Sequence, residues 1–282
     1  KGAGAIKPVH LGSLCREDTG HTRKLGVVDK GAFVRVDPAV VFQGTVLIAV
    51  PHMDDEALAC GGTIALLPHK DRIHLVYATD GMKAPAPIIP WRDSVSPDLG
   101  TVRMQESRAA MSYLGVPEEN LTFLGLPESQ LGKHRARLVD ALKEVVERVN
   151  PSCILMPFRY DRHVDHLAVN HTIMYICNEG LFQGDLFEYF VYHQCRLLPE
   201  GDIRKYIHPQ YVLQVNIEDA SARKRTALEH FESQTTIFYD WQTRPNLTPQ
   251  LLDEVSNAPE LFLRYDASMP GPAVFDRCVT WI

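Results

Sequence analysis

The strongest constraint on this chain is a rhythm of short apolar runs, each followed by a segment of helical spacing. Thr45–Val50, Ile73–Ala78, Leu121–Leu124 and Cys153–Met156 are brief and mostly aliphatic or aromatic. Runs of that kind, without polar alternation, read as strands buried on both faces. Helical spacing follows from Asp55 to about Leu67, where Pro68 stops it, and from Thr101 to Leu114, where Gly115 stops it. A third helix spans Arg135–Val149, with Leu138, Leu142, Val145 and Val149 on one stripe and Pro151 beyond its end. Parallel neighbours need a crossover, and helices supply it. The alternation therefore implies an α/β fold of Rossmann-like type, a mainly parallel sheet with helices on both faces. Further strands are expected at Phe187–His193 and Tyr211–Ile217, and a helix near Ala220–Phe231. Residues 1–44 carry no regular pattern. They are expected to form an irregular segment packed on one α/β domain, 45–282.

Bulk chemistry excludes several functions. A net charge of -6 lacks the basic surplus that phosphate backbones demand, so nucleic acid is not an expected partner. No apolar run is long enough to span a bilayer, and the first residues lack the apolar core of a signal peptide. The expectation is a cytoplasmic protein. Its six cysteines are scattered and include no CxxC, as reduced thiols would be rather than a disulfide framework. The turn after the first strand lacks both GxGxxG and a phosphate-binding GxxxxGK[ST] loop, which argues against nucleotide binding.

Chemistry concentrates in two clusters. Pro51-His52-Met53-Asp54-Asp55-Glu56 follows the first strand, and Asp161-Arg162-His163-Val164-Asp165-His166 follows the strand at Cys153–Met156. In open parallel sheets, ligands bind beyond the carboxyl ends of the strands. If the two strands are near each other, the clusters converge. His52, one carboxylate and one histidine of the second cluster then make a three-ligand site with an open position, as a catalytic zinc requires. Iron, nickel or cobalt would accept the same donors. Gly61 and Gly62 are costly inside a helix unless something approaches closely.

These residues resemble the signature of the PIG-L/LmbE-like deacetylases. Ala49 to Ala65 is similar to the family's AHPDDE, apolar stretch and GGT, with Pro51 for the usual Ala and Met53 for the usual Pro. Thr79, Asp80 and Gly81 resemble its T-[ND]-G. Arg103, Glu106, Ala110, Leu114 and Gly115 resemble its R-x-x-E helix, and Leu124–Pro127 its LG-x-P turn, with Glu128 for Asp. Asp161 to His166 matches D-x-H-x-D-H, and Lys224, Ala227, His230, Ser233 and Gln234 are similar to its late K...A...H..SQ helix. The resemblance implies a Rossmann-like fold and a Zn2+ site. The ligands would be His52, Asp55 and His166, with Asp54 as general base and His163 assisting, oriented by Asp165. Family members act on N-acetylglucosamine conjugates, chitooligosaccharides, thiol precursors and glycopeptides, so the expected partner is a small-molecule or glycoconjugate substrate.

The expected function is therefore removal of an N-acyl group, acetyl by preference, from an amino sugar or its conjugate. Asp54 takes the proton of the attacking water, and a protonated His163 steadies the oxyanion. Arg103, Asp80, Trp91 and Arg92 are candidate substrate contacts, the last two in a Pro-rich loop, 82–100, that reads as a lid or wall. Two other readings stay open. One is an amidase of a thiol or other non-acetyl conjugate, with the same metal motif. The other is a non-catalytic sugar-binding protein on the same fold, which would have no use for a base beside a metal.

Overall fold

A computed structural model describes residues 33–85, 98–161, 163–191 and 209–265. In chain order the elements are β1 (Val34–Val36), α1 (Pro38–Val41), β2 (Val46–Val50), α2 (Asp55–Leu66), β3 (Ile73–Thr79), α3 (Leu99–Tyr113), β4 (Leu121–Leu126) and α4 (Arg135–Val149). There follow β5 (Cys153–Pro157), α5 (Val164–Asn178), β6 (Asp185–Tyr189), β7 (Val212–Val215), α6 (Ser221–Glu229), α7 (Glu232–Thr235), α8 (Pro249–Asn257) and β8 (Glu260–Arg264). All eight described strands lie in one sheet, ordered β1-β7-β8-β6-β5-β2-β3-β4. Every pairing is parallel except those of β8, which runs antiparallel to β6 and β7.

The expected α/β architecture is present, with helices on both faces. The two-residue repeat of a strand sends alternate side chains of β2 to opposite sides. Val46, Ile48 and Val50 pack with Ala57, Leu58 and Ile64 of α2, Met111 of α3, Leu228 of α6 and Leu252 of α8. Leu47 and Ala49 pack with Leu138 and Leu142 of α4 and with Val169 and Ile173 of α5. The glycines of α2 have a packing cause. A Cβ on Gly62 would lie 2.6 Å from Ile217 Cγ2, and one on Gly61 would lie 3.2 Å from Lys224 Cγ. Glu260, at the start of β8, accepts the Gly62 and Thr63 N–H groups at 2.7 Å each and pairs with Lys224 Nζ at 2.7 Å. This buried anchor ties α2 to α6 and β8.

Some boundaries differ from the sequence reading. Residues 33–44 are not irregular: β1 pairs with β7, and Asp37 caps α1 with Pro38 at its first position. β6 spans Asp185–Tyr189, two residues ahead of the expected start at Phe187, because its pairing with β5 runs from Cys153–Asp185 to Pro157–Tyr189; residues 192–193 of the expected strand lie outside the described residues. α5, α8 and β8 have no counterpart in that reading. Thr248 followed by Pro249 was a legible start for α8, since the Thr248 hydroxyl caps it.

What positions the site is the strand order. From β2 the chain steps through β3 and β4 to one side, then returns so that β5 lies on β2's other side. β2 and β5 pair directly, Val46 opposite Cys153 and Ile48 opposite Leu155. Their carboxyl ends form the switch point at which open α/β sheets bind ligands.

Candidate active site

Beyond β2, the Pro51 carbonyl accepts both the Thr79 N–H, at 3.1 Å, and the Thr79 hydroxyl, at 2.8 Å, which fastens the turn to β3. Asp54 then takes φ 147°, ψ -26°, and α2 begins at Asp55. A non-glycine residue in that region is strained by about 1–3 kcal/mol. Although it occupies the N-cap position, Asp54 makes no side-chain cap bond. Beyond β5, Asp161 Oδ1 accepts the His163 N–H at 2.9 Å. His163 caps α5, its Nδ1 accepting the Asp165 N–H at 3.3 Å.

The two clusters converge. His52 Nδ1, His166 Nε2 and Asp55 Oδ2 form a triangle with all three edges at 3.2 Å. A tetrahedral zinc with bonds of about 2.0–2.2 Å spaces its donors by roughly 3.3–3.6 Å. The opposite nitrogens are committed elsewhere. His52 Nε2 donates to Asp165 Oδ2 at 3.1 Å, and His166 Nδ1 donates to Asp161 Oδ2 at 2.8 Å. With those outer nitrogens donating to carboxylates, the inward nitrogens and Asp55 Oδ2 face one another and would share a cation at their centre. His163 also lies near, and one donor atom from each of His52, His163 and His166 falls within a 4.8 Å group. The tighter triangle that includes Asp55 is the better fit to a metal.

Electrostatics agree. Burial disfavours a charged His52, but hydrogen bonds to Asp165 and Asp55 outweigh it and raise its pKa to about 9. Burial likewise opposes charge on His166, but Asp55 and Asp161 raise it to about 10. For Asp55, burial is overcome by the two imidazoles, which hold its carboxyl well below the usual range. The cluster thus stabilises positive charge between its carboxylates.

Asp165 departs from expectation. Its carboxylate does not orient His163; it accepts from His52 and from the Ser129 and Leu131 N–H groups. The backbone N–H of Asp165, not its side chain, meets His163. That bond makes Nδ1 the acceptor and leaves the ring hydrogen on Nε2. Burial, then the neighbouring imidazoles of His52 and His166, lower the His163 pKa. That direction runs against the protonated His163 expected from the sequence and favours an imidazole with one N–H to donate.

Arg103 also departs from expectation. It is 1% exposed, so it supports the turn rather than offering a substrate contact. Its Nη2 donates to the Met53 carbonyl at 2.8 Å and lies 3.4 Å from Asp54 Oδ1, and Nη1 lies 3.7 Å from Glu128 Oε2. Burial raises the Asp54 pKa to about 7 against the pull of Arg103. Asp80 Oδ1 accepts the Met82 and Glu128 N–H groups at 3.2 and 3.1 Å, which gives it a turn-holding part. Trp91 and Arg92 lie outside the described residues. Asp161 and Glu56 stood within the two motifs, but no role was assigned to either. Glu56 is met by the hydroxyls of Tyr77 and Ser107, from β3 and α3, which spacing does not reveal, whereas Asp161 meets His163 and His166 of its own motif. Among the described residues, no helix is long and apolar enough to cross a membrane.

Comparison with known proteins agrees with this geometry. Residues 47–177 match the model of the PIG-L family, described as GlcNAc-PI de-N-acetylase. A probable N-acetyl-alpha-D-glucosaminyl L-malate deacetylase 2 of Bacillus cereus is 28% identical over 136 residues, which is 46% of this chain and 59% of that protein. The match thus spans less than two thirds of the relative. The solved N,N'-diacetylchitobiose deacetylase of Pyrococcus horikoshii superposes with a TM-score of 0.53 at 19% identity, over 78% of this chain and 83% of that one. A 4-carboxy-2-hydroxymuconate hydratase from Pseudomonas putida superposes with a TM-score of 0.52 at 14% identity, over 81% and 99%. Structural likeness at these identities establishes the fold, and two reactions on that fold show why the site must be argued from its own groups.

Proposed function

We propose that this chain, whose residues 47–177 form a PIG-L/LmbE-like domain, is a metal-dependent N-deacetylase of an amino sugar or amino-sugar conjugate. The observation that carries the reading is the 3.2 Å triangle of His52, Asp55 and His166 with Asp54 beside it at the β2–β5 switch point. The family model and the Bacillus cereus relative support an N-acetylglucosamine-type substrate.

His52 Nδ1, Asp55 Oδ2 and His166 Nε2 would hold the cation, zinc by preference over other divalent transition metals. When bound, it supplies Lewis-acid chemistry, acidifying water and polarising the acyl carbonyl. Asp54 acts as general base. Its Oδ1 faces Arg103, and its Oδ2 makes no hydrogen bond among the described residues, so a lone pair is free for the attacking water. As the water oxygen bonds to the acyl carbon, Asp54 takes the proton. Neutral His163 donates Nε2–H to the carbonyl oxygen as charge develops on it. Asp54 then returns the proton to the departing nitrogen as the C–N bond breaks, giving the free amine and acetic acid, which ionises to acetate as the amine takes up its proton. Asp161 and Asp165 fix the two imidazoles in the tautomer that turns a lone pair inward.

The test is acetate and amine release from N-acetylglucosamine, N-acetylglucosaminyl malate, N,N'-diacetylchitobiose and an acylated glycopeptide, with and without a chelator. Chelator-sensitive release, with a loss of about 10²–10⁴-fold in a metal-replete Asp54→Ala variant, is expected. Turnover by Asp54→Ala at the wild-type rate would remove Asp54 from the mechanism. Failure of zinc-loaded, folded protein on every substrate would overturn the deacetylase reading.

A further inference from the structure

The Asp54 conformation needs an explanation, because its own side chain does nothing to maintain it. An N-cap residue ordinarily has extended dihedrals, and its side chain bonds the first N–H groups of the helix. Asp54 has φ 147° and makes no such bond. Its backbone N–H points instead to Glu56 Oε2 at 2.9 Å. Glu56 is 0% exposed and is itself held from two other elements. Its Oε1 accepts the Tyr77 hydroxyl from β3 and the Ser107 hydroxyl from α3, each at 3.0 Å. Tyr77 is fixed in turn by stacking on Phe123 of β4, with centroids 4.5 Å apart and an interplanar angle of 7°. Arg103 closes the other side of the same peptide through the Met53 carbonyl. The bond between residues 53 and 54 is thus gripped at its carbonyl by Arg103 and at its N–H by Glu56.

We propose that Glu56 is a positioning residue for the reaction: by accepting the Asp54 N–H it holds residue 54 at its unusual φ, and so keeps the Asp54 carboxylate off the helix cap and free for the reacting water. The inference rests on Asp54 being the general base. Its structural half stands apart from that reading. Without the acceptor, the turn relaxes toward ordinary N-cap dihedrals and the Asp54 carboxylate swings onto the α2 N–H groups.

Three variants test this. Glu56→Met keeps length and burial but has no acceptor. Glu56→Gln keeps one, because its amide oxygen can face Asp54 while its NH2 meets the Tyr77 and Ser107 hydroxyl oxygens. Glu56→Asp keeps the carboxyl group but draws its oxygens back by one methylene, and it carries the test if Glu56→Met does not fold. Acetate release from N-acetylglucosaminyl malate is the kinetic readout. Glu56→Met is expected to lose on the order of 10²-fold in kcat, as a misplacement of about 1 Å can cause, with KM and the visible spectrum of bound Co2+ unchanged. Glu56→Gln should recover most of the loss, and replacing Glu56 in an Asp54→Asn background should cost little more. The second readout is the crystal structure of the variant, in which φ at Asp54 should turn negative. Wild-type kcat in Glu56→Met, a failure of Glu56→Gln to rescue, or an Asp54 φ still near 147° would each overturn the inference. If wild-type protein releases no acetate from any substrate, the deacetylase reading falls and the Asp54 dihedral alone decides the role of Glu56.

Discussion

Replacing Asp54 by glycine should stabilise the protein relative to replacing it by alanine, the reverse of the usual order. Both variants lose the same carboxylate, whose burial already raises its pKa to about 7, so that contribution cancels between them. The backbone does not cancel. At φ 147°, ψ -26° a residue with a Cβ carries strain of about 1–3 kcal/mol, which alanine keeps and glycine sheds. Glycine gives back about 0.5–1 kcal/mol through the greater freedom of its unfolded chain. At mid-range the difference is about 1 kcal/mol in favour of glycine. For a domain of this size, that corresponds to roughly 2–4 °C in Tm. Thermal unfolding of the two metal-free variants at pH 7, followed by circular dichroism, measures it directly. Both variants should be slowed alike, by about 10²–10⁴-fold, so the comparison separates strain from catalysis and shows stability exchanged for function at one residue. An Asp54→Ala variant as stable as Asp54→Gly, or more so, would refute the claim that the turn is strained.

Other consequences follow from the same geometry. Asp161→Asn and Asp165→Asn, each removing a carboxylate behind one inward-facing imidazole, should weaken zinc binding by about 10–100-fold in competition with a fluorescent chelator; unchanged affinity would dissociate those carboxylates from the site. Zinc at a hundred times its Kd should add about 2.7 kcal/mol of stability. Chelation should remove that gain, and in His52→Ala there should be no gain to remove; an equal zinc-dependent Tm shift in that variant would locate the ion elsewhere. Lys224→Met strands Glu260 in the core beneath α2 and should cost about 3–5 kcal/mol in urea unfolding. A loss under about 1 kcal/mol would mean that the Gly62 and Thr63 N–H groups suffice to hold that carboxylate.

The division between sequence and structure follows the range of the interactions. The central strands β2, β3 and β5 were legible because burial on both faces forces continuous apolar runs, and α4 because its stripe of Leu138, Leu142 and Val145 repeats at helical spacing; β4 shares the apolar run although it is the half-buried edge strand of the sheet. β8 was not legible. A five-residue strand beginning at Glu260 has no distinguishing period, and its antiparallel direction comes from pairing with β6 and β7. Gly61 and Gly62 announced a close approach, but only the packed fold identifies Ile217 and Lys224 as what approaches. At the site, His52 and Asp55 are three residues apart, so their proximity is local and the motif carries it. That His166 joins them depends on β5 lying beside β2, a strand order that no local pattern encodes. The same fact explains the reassigned Asp165. Its neighbour in sequence is His163, yet its carboxylate meets His52 across 113 positions. Arg103, an ordinary helix residue by spacing, becomes a buried brace because α3 packs over the turn at Met53. Residue types and short spacings determined what chemistry the chain could perform. The side-chain partners were decided by tertiary packing, because hydrogen-bond choice in a buried site depends on which distant groups are brought within about 3 Å.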